Sequence, residues 1–126
     1  MRILRSVQSK VCVDGSLMKE YLLDEPLTAD FIGYLKNFGE VTVLEHLKKP
    51  FLSFEKEYFL SIKGIIGDPV VEVRYKAGLQ DIVGDYFHLL LYYYRSGKEV
   101  ATLKQTEEIL MKKIRVRFPE DQATGR

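Results

Sequence analysis

Asp85-Tyr86-Phe87-His88-Leu89-Leu90-Leu91-Tyr92-Tyr93-Tyr94-Arg95-Ser96-Gly97-Lys98 is the stretch on which the fold turns. Short apolar runs do not reveal their period, so residues 87–94 fit either a buried helix closed by Gly97 or a strand running into a turn. Aromatic content favours the strand. So does an earlier echo: Glu57-Tyr58-Phe59-Leu60 and Asp85-Tyr86-Phe87-His88 begin alike, and each reaches a glycine-containing turn about ten residues later. The expectation is a hairpin with residues 86–94 as one arm and 99–102 as the other. Nothing recurs a third time, so these are two hairpins of similar build rather than a repeat.

Extended, the segment would place Tyr86, His88, Leu90, Tyr92 and Tyr94 on one face and Phe87, Leu89, Leu91 and Tyr93 on the other. Both faces are then largely apolar. A two-layer domain turns one sheet face to its helices, so the second face calls for a partner or a ligand. Tyrosine suits either, as a rigid ring with a polar hydroxyl.

Other turns extend the pattern. Val11-Cys12-Val13 meets Asp14-Gly15, followed by an apolar stretch ending at Leu22-Leu23, which is the chemistry of a tight hairpin. Residues 58–66 run into Gly67-Asp68-Pro69 and resume over 70–75. Residues 41–44 and 50–54 supply further strands. A helix over about 28–38 is marked by Thr28 as N-cap, Asp30 in its first turn, a Leu27–Ile32 staple and Gly39 as its stop. A second, over about 103–115, carries Leu103, Leu110 and Ile114 on its inner face. The predicted fold is α+β: an antiparallel, hairpin-rich curved sheet packed on those two helices. It is two-layered, or similar in element order to helix-grip ligand-binding domains.

Composition frames this reading. The chain has 126 residues, 46% hydrophobic and 29% charged, which suits one domain over 1–120 with a polar tail at 121–126. Nineteen basic and eighteen acidic residues leave a formal charge of +1, so no global field draws in nucleic acid or an anionic membrane. Cys12 is the one cysteine, no apolar run reaches membrane-spanning length, and no signal-peptide pattern follows Met1. The expected compartment is the cytoplasm.

Catalytic patterns are absent from the sequence. Gly64, Gly67 and Gly97 read as turn glycines, without the spacing of a phosphate-binding loop. His46 and His88, the two histidines, have no ligand partner at close spacing, so no metal and no cofactor is expected. Cys12 between Val11 and Val13 reads as a small apolar filler. The acidic pairs Asp24-Glu25, Glu55 with Glu57, and Glu107-Glu108 read as surface, the last as the first turn of a helix. Lys112-Lys113-Ile114-Arg115-Val116-Arg117-Phe118 alternates cation and apolar residue in a way that could grip a phosphate backbone, but a cationic helix end followed by a charged edge explains it better at a net charge of +1.

The leading expectation is a non-enzymatic binding or assembly domain, using Tyr86, His88, Tyr92 and Tyr94 for self-association or a small apolar ligand, with no catalytic residue assigned. The rival is an enzyme whose site converges around His88, a tyrosine and a carboxylate such as Asp85. Nucleic-acid binding through Lys112, Lys113, Arg115 and Arg117 is a weaker third reading, disfavoured by the charge balance.

Overall fold

Residues 1–11, 13, 15–45, 48–56, 60–97 and 99–117 are described by a computed structural model, without the side chains of 8–10 and 117. Cys12, Asp14, His46, the Glu57-Tyr58-Phe59 echo and residues 118–126 therefore lie outside the described residues. The elements are β1 (Ile3–Val11), β2 (Leu17–Leu23), α1 (Ala29–Leu35), β3 (Glu40–Leu44), β4 (Phe51–Lys56), β5 (Leu60–Ile65), β6 (Val70–Tyr75), α2 (Gln80–Ser96) and α3 (Val100–Arg117).

Period-two alternation gives the four central strands of the sheet an inward set. Tyr21 and Leu23 on β2, Leu52 and Phe54 on β4, Leu60 and Ile62 on β5, and Val71, Val73 and Tyr75 on β6 are all buried. The strands form one six-stranded sheet in the order β1-β2-β6-β5-β4-β3, antiparallel at every junction. Strands β3 to β6 form a meander, and β2 pairs with its last strand, with Leu22 opposite Val70. At the meander's final turn, Gly67 takes φ 97° and Asp68 N–H donates to Ile65 O at 3.0 Å. Helix residues cover the inward face: Phe31 and Leu35 of α1, Tyr86 and Leu90 of α2, and Leu103 and Ile114 of α3 join the strand residues in one core. The α+β class and the antiparallel sheet expected from the sequence are present.

Residues 86–94 are helical, not a strand, and this corrects the reading of the decisive stretch. They form the centre of α2, so the helices number three among the described residues. The helical period becomes visible once Ile82 and Val83 are included. Ile82, Val83, Tyr86, Phe87, Leu90 and Leu91 are buried, a stripe of adjacent pairs repeating every four residues. That stripe is wide enough to place apolar side chains on both faces of an imagined strand. The alternative stop signal is the real one: Gly97 adopts φ 65°, and its N–H donates to Tyr93 O. Residues 99–102, expected as a strand, lead into and begin α3.

The first helix matches its start signal. Thr28 accepts a hydrogen bond from Phe31 N–H at 3.2 Å. It ends at Leu35, however, and Gly39 serves a different purpose from the expected helix stop. A Cβ there would lie 2.6 Å from Glu55 O and 2.8 Å from the Phe54 ring, so glycine is required for β3 to start against β4.

Candidate functional site: a buried ion pair beneath a cleft

Two charged residues occupy inward positions of otherwise apolar patterns. Lys56 follows Leu52 and Phe54 on the inner parity of β4. Glu107 falls between Leu103 and Leu110 in the stripe that faces α3 inward, with Ile114 one turn further. The fold brings them together: Lys56 Nζ lies 2.6 Å from Glu107 Oε2, with side-chain exposures of 16% and 8%. Lys56 Nζ also donates to Phe38 O at 2.6 Å, which ties the segment after α1 to the end of β4, and it sits 6.0 Å from the centre of the Tyr86 ring.

The electrostatics follow from burial. Desolvation raises the Glu107 carboxyl above its usual pKa, and it outweighs the opposing pull of Lys56, Tyr86 and Lys104. Tyr86 is pushed well above the usual phenol range, first by burial and then by the neighbouring carboxylate, so its hydroxyl keeps its proton. Tyr34 is raised for the same leading reason, and its hydroxyl donates to Leu90 O at 2.7 Å. Around this pair the rings of Tyr34, Phe38, Phe31 and Tyr94 contact one another with centroids 5.0–6.0 Å apart.

Glu107 is not sealed in the core. It forms part of the wall of a cleft of about 490 Å³, together with Asn37, Phe38, Lys56, Lys104, Glu108, Met111, Lys112 and Arg115. Its second oxygen, Oε1, is buried, and the Tyr86 hydroxyl neighbours the carboxylate and favours its charged form. Lys104, Lys112 and Arg115 stand exposed at the same cleft and give its mouth a positive field.

The residues expected to carry function are dispersed by the helix. Tyr86 is fully buried, and Tyr94 packs edge-on to Phe31. His88 and Tyr92 are exposed on the other side of α2, where they line a separate cleft of about 370 Å³ with Met1, Arg2, Ile3, Leu91 and Arg95. His88 Nδ1 lies 2.8 Å from Gly84 O, and Asp85 is exposed. The buried carboxyl with a raised pKa is Glu107, which lines a different cleft from His88. Of the basic run, Lys112 and Arg115 line the Glu107 cleft, Lys113 is exposed, and Arg117 closes α3. That run is helical to Arg117 rather than extended at its end, and Ile114 within it is buried.

Lys56 and Glu107 were missed as a site. The sequence pattern places Glu107 in a helix's first turn at the surface, but α3 begins at Val100 and carries it inward. The other described members of the acidic pairs, Asp24, Glu25, Glu55 and Glu108, are exposed. Among the described residues no group of three or more His, Cys, Asp or Glu side chains could hold a metal ion, and no helix is long and apolar enough to cross a membrane. No family model matches the chain, and neither does any curated protein or solved structure.

Proposed function

We propose that this domain binds a small anionic molecule that also carries a hydroxyl or amine, in the cleft above Lys56 and Glu107. The observation that carries this reading is the buried Lys56–Glu107 pair on the wall of a cleft that bears three further cations. A ligand hydroxyl or ammonium would meet the Glu107 carboxylate, and the ligand's anionic group would meet Lys104, Lys112 and Arg115. Lys56 has a positioning role: its bonds to Glu107 and Phe38 O hold the carboxylate at the cleft wall. This keeps the binding class expected from the sequence and moves it from the tyrosines to the α3–β4 cleft.

Glycerol phosphate, with hydroxyls and a dianion on one small frame, is a suitable probe. Titrated into the labelled protein and followed by amide NMR, it should shift residues of the cleft at about millimolar Kd, as befits a fragment. Glu107→Gln should weaken it about tenfold while the spectrum stays folded. Shifts scattered over the surface, or a Glu107→Gln protein that binds as the native one does, would remove the reading.

A further inference from the structure

The second cleft, on the opposite side of α2, is lined by three cationic or potentially cationic side chains and no acid. His88, Leu91, Tyr92 and Arg95 lie at i, i+3, i+4 and i+7 of the helix, and so share one face. Met1, Arg2 and Ile3 form the facing wall. That wall is pinned. Arg2 N–H donates to Asp24 Oδ1 at 2.8 Å, Asp24 N–H donates to Arg2 O at 2.9 Å, and the Met1 ammonium lies 3.3 Å from Glu25 Oε2. The nearby carboxylates are thereby engaged by the main chain and the terminus. Among the described residues no carboxylate pairs with the side chains of Arg2, His88 or Arg95.

Two of the three are also placed by neighbours. The Arg95 guanidinium carbon sits 5.4 Å from the centre of the Tyr92 ring, within cation–π range, which keeps the charge on the cleft side of the helix. A carbonyl oxygen can only accept, so His88 Nδ1 must donate to Gly84 O. The cleft is then offered Nε2, which donates when the imidazole is charged. We infer that Arg2, His88 and Arg95 form an oxyanion site for the phosphate or sulfate group of a small molecule. This site shares no lining residue with the Glu107 cleft and stands independently of the function proposed there.

Inorganic sulfate, whose charge does not change across the working range, is the probe. Titrated into the labelled protein, it should shift the amides of residues 2–3, 88, 92 and 95 together. Arg95→Gln should weaken sulfate about tenfold, as loss of a charge-assisted hydrogen bond does, and Arg2→Gln should do the same. Lys36→Gln, which removes an equal charge from the exposed end of α1, should leave the affinity within about twofold. Equal losses in Arg95→Gln and Lys36→Gln would reduce the effect to net charge and overturn the site, as would shifts confined to other residues. Phosphatidic acid vesicles provide a second arm. Co-flotation that Arg95→Gln abolishes would make a lipid headgroup the source of the anion, and sulfate binding without co-flotation would make the source a soluble molecule.

Discussion

Lys56 and Glu107 leave water as a pair, and neither could do so alone. Each charge is compensated by the other at 2.6 Å, and Phe38 O takes a further donor of the ammonium. Removing one member strands the other. Lys56→Met should therefore destabilise the domain by about 3 kcal/mol in urea titrations, whereas the double change Lys56→Met with Glu107→Leu should recover most of that loss. A single substitution as mild as an ordinary surface change would mean that the pair is solvated. Both residues were legible by parity. Leu52, Phe54 and Lys56 alternate on one strand face, and Leu103, Glu107, Leu110 and Ile114 follow the helical stripe. A charge at an inward position is the informative signal. Reading acids by their distance from a helix start, with that start placed too late, concealed it.

At the scale of elements, α2 shows where periodicity misleads. Starting from residue 86, the run is apolar in every direction and aromatic, and those features suit a strand. Starting from Gln80, buried pairs four residues apart give a helical stripe. Sequence patterns marked β4, β5 and β6 more securely, because Ser53, Ser61, Glu72 and Arg74 stand between their inward residues. Glycines sort by the same local logic. Gly84 lies inside α2 with nothing within 4 Å of an added Cβ, so Gly84→Ala should raise stability by about 0.5–1 kcal/mol through helix propensity. Gly39→Ala should instead cost about 1–3 kcal/mol, since its Cβ would meet the Glu55 carbonyl and the Phe54 ring. Thermal denaturation of the two variants checks both signs at once.

For the molecule as a whole, the buried carboxyl makes stability depend on pH. Burial raises the folded pKa of Glu107 above its unfolded value near 4.5, so the folded state holds that proton more tightly. Its contribution is fully present below the unfolded value and is lost as the pH rises through the folded one, with a slope of at most about 1.4 kcal/mol per pH unit. Glu107→Gln has no such proton and should flatten that part of the profile. The sheet, the helices and their common core concern α3 only as a cover for the inward face. The pair beneath the cleft gives this region a chemistry that packing alone does not require.

Carbon-detected NMR titration of the glutamate side-chain carboxyls tests that pair most directly. Glu107 should titrate above the ordinary carboxylate range, with its resonance moving again when glycerol phosphate is added. If Glu107 titrates within that range and ignores the probe, the carboxyl is solvated and takes no part in binding at the cleft.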